Sequence, residues 1–391
     1  MELYVHIPFC VRKCSYCDFL SFPAGEYEKQ NYVDALCREL GSLSGLPDFV
    51  GFDTVFIGGG TPSVLPVLQM EKILEKISGL INRKNKTCEF TIECNPGTLD
   101  KEKLALYGKY GVNRLSIGLQ SADNTQLKAL GRIHTFENFL ENYELARDAG
   151  FKNINIDLMS AIPGQSISSW EKTLEKTVGL KPEHISAYSL IIEPGTPLYR
   201  QFEAAPDSLG LPDEDTERDM YHVTKEILAG NGYGRYEISN YAKAGFECRH
   251  NLGYWTGEEY VGCGLGASSY LKKSRVEGYP GGSDEALYYR LVNTDSMNRY
   301  LNAAGPGEIM QITERLAAED LMGEFCILAL RLVTGIDVPL FEKKFARSFT
   351  ERYGKTVHRY VAGGFMKYEN DHVFLTDEGF DVSNTIMSEF L

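Results

Sequence analysis

The chain has 391 residues, 43% of them hydrophobic, and a formal net charge of −14. That length exceeds one ordinary compact domain and implies a large domain with a smaller one. The acidity argues against a general nucleic-acid binder, and no stretch approaches the roughly 20 apolar residues of a membrane helix.

Residues 1–8 read as a strand and lack the basic start and long apolar run of a signal peptide, so the expected address is the cytoplasm. Runs of β-formers predict strands at 3–7, 54–57, 89–93, 114–117, 153–158 and 185–190. Amphipathic stretches at 27–43, 67–81, 101–110, 136–149, 169–178 and 216–229 predict the helices that alternate with them, with Gly150 as a C-terminal stop. Six strand–helix units in order imply a parallel sheet with right-handed crossovers. An open three-quarter barrel and a doubly wound sheet both satisfy that alternation. Residues 232–271 are rich in Gly and aromatics, and 278–284 read as a loop. From about residue 313 the pattern changes. Helices at 314–332 and 339–353, then a shorter one, precede a hairpin at 366–376 with Asn370-Asp371 at its turn. The expected domains are 1–231, a barrel extension at 232–312, and a C-terminal helical and hairpin unit at 313–391.

Nine cysteines without a signal peptide argue against a disulfide framework. Cys10, Cys14 and Cys17 share one Cys-x3-Cys-x2-Cys loop directly after the first strand; Cys37, Cys88, Cys94, Cys248, Cys263 and Cys326 are scattered. Structural zinc sites use four protein ligands, usually in paired CxxC units. Here three thiolates cluster and no fourth lies nearby. Iron–sulfur clusters are thiolate-held, and a cubane on three cysteines leaves one iron open to a ligand with an amine and a carboxylate. Arg12, Lys13 and Ser15 argue against a buried apolar turn.

This loop resembles that of the radical SAM superfamily. The wider string Tyr4-Val-His-Ile-Pro-Phe-Cys10 narrows the resemblance to the oxygen-independent coproporphyrinogen III oxidases and their haem-chaperone relatives, and the similarity runs through nearly the whole chain. It implies an α/β fold: a partial (β/α)6 TIM-type barrel, the radical SAM core, with a smaller C-terminal α+β winged-helix-like domain. It also implies a [4Fe–4S] cluster on Cys10, Cys14 and Cys17, with S-adenosyl-L-methionine as the second cofactor. Such barrels carry active residues at the C-terminal ends of their strands. Strand two ends in Gly58-Gly59-Gly60-Thr61, strand three in Glu93, strand four near Gln120 with Arg132 after it, strand five near Asp157, and strand six near Ile191. The resemblance implies that Gly59, Gly60, Thr61 and Glu93 hold the amino-acid end of S-adenosylmethionine. It implies further contacts from Gln120, Arg132, Asp157, Ile191, Tyr4 and Tyr16. Singly, each has a plain alternative: Glu93 paired with a lysine, Gln120 capping a turn, Arg132 on the surface, Ile191 in the core.

Two features separate the oxidases from the chaperones. The oxidases carry a fourth cysteine two residues after the third, where this chain has Phe19, and an N-terminal extension that this chain lacks. The string His250-Asn-Leu-Gly-Tyr254-Trp255 resembles the HNxxYW motif of the chaperones, which implies haem binding at His250, Tyr254 and Trp255. Imidazole is a good axial ligand for haem iron, and Arg249 suits a propionate. Cys248 is a rival ligand or a small buried hydrophobe; His6 more simply shapes the cluster site. The glycines of 262–268 serve packing. The expected partners are haem, haem-requiring apoproteins and an electron donor for the cluster, not nucleic acid. The rival functions are a coproporphyrinogen oxidase, or a radical SAM enzyme on another substrate. The haem acceptor, the oligomeric state, any peripheral membrane association, and whether S-adenosylmethionine is consumed stay open.

Overall fold

Strands and crossover helices alternate through the first half of the chain. A computed structural model describes residues 1–82, 88–276 and 285–391; the loop expected at 278–284 lies outside them. The order is β1 (Glu2–Ile7), α1 (Glu26–Ser42), β2 (Thr54–Gly59), α2 (Val67–Ser78), β3 (Glu89–Cys94), α3 (Lys101–Lys109) and β4 (Arg114–Gln120), then α4 (Asn124–Ala129), α5 (Phe136–Asp148), β5 (Ile154–Ser160), α6 (Ile167–Gly179) and β6 (His184–Ser189). The helices start where the side chains of Asp100, Asp123, Thr135 and Ser166 accept hydrogen bonds from their first turns. Gly150 follows α5 with φ +94°, a backbone that favours glycine.

β1 to β6 pair in sequence order, each parallel to the next. A doubly wound sheet reverses its strand order at a switch point. This one does not, so the partial barrel is the fold. After β6 come α7 (Pro197–Ala204), α8 (Glu214–Gly230), β7 (Gly234–Arg235) and β8 (Asn240–Ala242), with β8 antiparallel to β6. Then follow α9 (Arg249–Thr256), β9 (Tyr260–Cys263), β10 (Ser268–Lys272), α10 (Lys273–Val276), β11 (Tyr288–Asn293), α11 (Met297–Asn302), α12 (Pro306–Ile309) and β12 (Met310–Leu316). β9 pairs in parallel with β1 and starts the extension of the other edge. Among the described residues the result is one 12-stranded sheet in which β1 and β6 do not pair, so the barrel wall is open.

Period-two alternation sorts the wall into two faces. Leu3, Val5, Ile7, Val55, Ile57, Phe90, Ile92, Leu115, Ile117, Ile154 and Ile156 are fully buried in the core shared with the helices. The residues between them line the lumen, and most are polar: Glu2, Tyr4 and His6 on β1, Glu89 and Glu93 on β3, Arg114 and Ser116 on β4, Asn155 and Asp157 on β5.

The C-terminal unit has its own core, with Cys326, Leu330, Phe341, Phe349, Val373 and Phe390 buried together. It comprises α13 (Ala318–Leu330), β13 (Ile336–Asp337), α14 (Val338–Phe345), α15 (Phe349–Ala362), β14 (Met366–Glu369) and β15 (His372–Leu375), with a small antiparallel sheet ordered β13-β15-β14. The hairpin expected at 366–376 is present, and Asn370 and Asp371 turn it with φ +51° and +62°. Two helix expectations need correction. Residues 314–316 are strand, because Leu316 on β12 pairs with Tyr288 on β11; the helix begins only where the Asp320 carboxylate accepts from the Ala317 N–H at 2.8 Å. The helix expected at 339–353 is two helices, since Ala346 ends α14 at φ +51° and the Ser348 hydroxyl caps α15. Among the described residues no helix is long and apolar enough to cross a membrane.

Candidate cluster site and barrel floor

The loop that carries Cys10, Cys14 and Cys17 is pinned at several points. The Cys10 and Phe22 amides bond the Phe22 and Pro8 carbonyls, and the Ser15 amide bonds the Leu130 carbonyl at 3.1 Å. His6 Nε2 lies 2.9 Å from the Leu20 carbonyl and His6 Nδ1 3.0 Å from the Tyr4 hydroxyl. All three cysteines are half-buried and free of disulfides. Burial raises the Cys10 and Cys17 thiols above their ordinary pKa. A bound metal offsets that penalty by holding the thiolate. Among the described residues no trio of His, Cys, Asp or Glu converges on one metal ion.

The glycines after β2 make room for this loop. A Cβ on Gly60 would meet the Phe9 carbonyl at 2.6 Å and Cys10 Sγ at 3.1 Å; one on Gly59, at φ +111°, would strike the His6 ring at 2.6 Å. Arg132 is drawn inward rather than left on the surface. Its Nη2 donates to Asn95 Oδ1 and the Gly118 carbonyl, each at 2.7 Å, and its Nη1 lies 3.7 Å from Cys14 Sγ. Its Nε is buried without a partner. Cys14, Thr61, Asn95, Arg132 and His134 line one small cavity. An orphan guanidinium N–H in the cavity that Cys14 lines fits a carboxylate-bearing ligand at an open iron.

Glu93 accepts from the Gly59 N–H at 3.1 Å rather than from a lysine. Burial, then the nearby Asp157 charge, pushes its pKa up to about 8. Asp157 accepts from Asn155 Nδ2 at 2.7 Å and Ser116 Oγ at 3.1 Å. Gln120 holds φ +70° beside a register shift between β4 and β5. A left-handed glutamine at a strand end is strained backbone of the kind that collects at sites. Tyr16 packs with Leu130, Ile162 and Leu190. Ile191 is 67% exposed beyond β6, so it is not core.

The HNxxYW segment lies at the other end of the barrel. It forms α9, which closes the N-terminal ends of the strands. Glu89, on β3, accepts from the amides of Arg249 and His250 at 2.9 and 3.0 Å and from Cys248 Sγ at 3.4 Å. One carboxylate from a neighbouring strand thus caps the helix, where an anion is favoured by the helix dipole. Gly253 lets the helix seat under β1, for a Cβ there would fall 1.8 Å from Glu2 Oε1. His250 enters the lumen and is 1% exposed. Its Nδ1 lies 2.8 Å from Thr54 Oγ1 and its Nε2 3.0 Å from the Tyr254 hydroxyl, and its ring stacks on Phe56 at 5.3 Å. Burial and then the Arg114 charge push its pKa down to about 3. Thr54 and Gly59 stand at opposite ends of β2, so about 17 Å of strand separates His250 from the glycine cradle. Cys248 is fully buried, and burial pushes its thiol up to about 12.

Comparison with known proteins gives the family. Residues 4–177 match the model of the radical SAM superfamily and residues 316–382 that of the HemN C-terminal domain. The heme chaperone HemW of Lactococcus lactis is 36% identical over 388 residues, covering 99% of this chain and 96% of that protein. The heme chaperone HemW of Bacillus subtilis is 34% identical over 392 residues, covering 99% and 98%. This chain belongs to the HemW family of radical SAM proteins. Coproporphyrinogen III oxidase (HemN) from Escherichia coli, a radical SAM enzyme, shares the fold, with a TM-score of 0.79 at 21% identity over 100% of this chain and 89% of that one.

In this HemW-family chain the structure brings the residues expected around the cluster to one barrel mouth and sets His250, Tyr254 and Trp255 at the opposite floor. Sequence reasoning passed over Asn95, which bonds both Thr61 Oγ1 and Arg132. Asn95 follows Glu93 at a strand end, a position that itself marks the mouth. It also passed over Glu2, Glu89 and Arg114, whose burial in the floor has no local signature.

Proposed function

We propose that the chain holds a [4Fe–4S] cluster on Cys10, Cys14 and Cys17 with S-adenosylmethionine beside it, binds haem at the HNxxYW helix, and passes haem to haem-requiring apoproteins in the cytoplasm. The observation that carries the cluster reading is the pinned cysteine loop against Gly60, with the orphaned Arg132 Nε beside Cys14. When bound, the cluster and S-adenosylmethionine supply one-electron reductive cleavage of the sulfonium. The protein's own part is positional. Arg132 meets the ligand carboxylate, Glu93 its ammonium, and Asp157 with Gln120 the nucleoside, while Tyr4 and His6 brace the loop from below. The electron comes from an external donor. The haem reading rests on the HNxxYW string and on the chaperone relatives.

An oxidase reading is weaker, because Phe19 stands 64% exposed where the oxidases have a further cysteine. Anaerobic reconstitution followed by iron and sulfide analysis, S-adenosylmethionine binding and a haem titration tests the proposal. Four irons per chain, lost in Cys14→Ala, and saturable haem transferable to an apoprotein are expected. Anaerobic decarboxylation of coproporphyrinogen III without haem transfer would instead make it an oxidase.

A further inference from the structure

Inside the barrel, three neighbouring strands set polar side chains in a row. Strand register puts Ser116 of β4 beside Asn155 of β5, and Asn155 beside His184 of β6. Asp157 and Ser186 pair in the next lumen-facing row, two residues nearer the mouth. Ser116, Asn155, His184 and Ser186 are all buried. Asn155 Nδ2 donates to Asp157 Oδ1 at 2.7 Å and to Ser116 Oγ at 2.8 Å, which turns Asn155 Oδ1 towards β6. There it lies 2.6 Å from His184 Nδ1 and accepts from Ser186 Oγ at 3.2 Å. An amide oxygen can only accept, so His184 carries its proton on Nδ1. Its Nε2 is then bare, and the Tyr236 hydroxyl, 2.8 Å away, donates to it. Burial, then the Arg114 charge, holds the imidazole well below its ordinary pKa and so keeps it neutral. The Tyr236 hydroxyl in turn accepts from the Cys248 amide at 3.3 Å. Donation therefore runs one way, from the start of α9 through Tyr236, His184 and Asn155 to Asp157.

We propose, resting on the S-adenosylmethionine reading above, that Asn155 and His184 are positioning residues for the nucleoside end of that ligand. A carboxylate offers about four acceptor sites. The lumen donors take one on each Asp157 oxygen, Asn155 Nδ2 on Oδ1 and Ser116 Oγ on Oδ2 at 3.1 Å. Half-buried Asp157 keeps one on each for the vicinal hydroxyls of a ribose. Those hydroxyls donate as a pair, so the carboxylate has to be fixed in rotation as well as in place. Asn155 fixes it only while its Nδ2 faces Asp157, and the two donors at its Oδ1 keep it facing that way. Without the His184 donor, the Ser186 hydroxyl alone holds that orientation, through the longer bond. Tyr236 keeps the His184 proton on the nitrogen that faces Asn155. The methionine end of the ligand is independent of this relay. Arg132 is held by Asn95 and the Gly118 carbonyl, and Glu93 by the Gly59 amide, through bonds that include neither Asn155 nor His184.

Anaerobic calorimetric titration of S-adenosylmethionine into the cluster-reconstituted full chain tests this, with the cluster oxidised so that no cleavage occurs. Free methionine, followed in the electron paramagnetic resonance spectrum of the reduced cluster, reports the other end of the ligand separately. In His184→Asn the amide nitrogen takes the place of Nδ1 and still donates to Asn155. In His184→Gln the amide takes the place of Nε2 and no donor faces Asn155. Both variants lose stability, because each leaves part of a buried network unpaired. His184→Gln and Asn155→Leu are expected to bind S-adenosylmethionine about tenfold more weakly, the loss of one oriented hydrogen bond, and His184→Asn within about threefold of wild type. All three are expected to bind methionine as wild type does. Equal S-adenosylmethionine affinity in the two His184 variants, or parallel losses of S-adenosylmethionine and methionine, overturns the positioning role. Where His184→Gln does not fold, Asn155→Leu decides alone, and wild-type affinity in it overturns the role. Absence of saturable S-adenosylmethionine binding in wild type overturns the underlying reading itself.

Discussion

Replacing His250 with alanine is expected to unfold the barrel floor measurably before any haem is added. The substitution leaves the Thr54 hydroxyl and the Tyr254 hydroxyl without their partners in a buried site. Each orphaned group costs about 1–3 kcal/mol. The lost ring stack on Phe56, at 5.3 Å, and the void beneath it add about 1 kcal/mol or more. The expected destabilisation is about 4 kcal/mol. A large domain shifts its unfolding temperature by about 2 °C for each kcal/mol, so the midpoint should fall by about 8 °C. Denaturant and thermal unfolding of the haem-free, cluster-reconstituted protein, followed by far-ultraviolet circular dichroism, measures it. His250→Gln, which keeps a side-chain donor and acceptor in the same space, should recover about half the loss. If His250→Ala unfolds within 1 °C of wild type, the reading of His250 as a buried, satisfied plug is wrong. If the loss is found, weakened haem binding in His250→Ala is no sign of ligation.

Three further predictions follow from the same geometry. Gly253→Ala places a Cβ 1.8 Å from Glu2 Oε1, so α9 must lift from the floor; a loss of about 1–3 kcal/mol is expected in denaturant unfolding, and unchanged stability would contradict the seating of α9 under β1. Gly60→Ala drives a Cβ to 2.6 Å from the Phe9 carbonyl and 3.1 Å from Cys10 Sγ, so reconstituted iron per chain should fall by more than half while the global unfolding midpoint changes little. Burial pushes the Glu2 carboxyl up to about 9 from its ordinary 4.5. The folded chain therefore holds a proton that the unfolded chain gives up, and this group's contribution to stability is lost as pH rises from about 4.5 to about 9. Glu2→Gln should flatten that slope and be more stable than wild type at pH 9. An equal slope in both proteins would show that the carboxylate is ionised in the fold.

The cluster end of this protein is written locally. Three cysteines within eight residues need only one loop to share a site, and each strand end that faces them announces itself by a short string: Gly58-Gly59-Gly60, Glu93-Cys94-Asn95, Gly118-Leu119-Gln120. Strand and helix periods mark the six barrel units because burial on one face repeats every two or 3.6 residues. The floor is different. HNxxYW reads as a motif, yet nothing within it says which end of the barrel it meets. That is decided when β9 pairs in parallel with β1, Glu2 opposite Tyr260, which puts the helix just before β9 beneath the strand starts. The same long-range closure turns His250 into a buried plug, gives α9 its cap from Glu89 on β3, and opens an aromatic cavity against α13. Strand order, too, was left open by periodicity and settled by which edges found partners. Spacing along the chain determines which groups can act together only where a few bonds connect them; groups hundreds of residues apart meet through hydrogen-bonded edges and packed faces, whose pairing depends on the whole sheet at once.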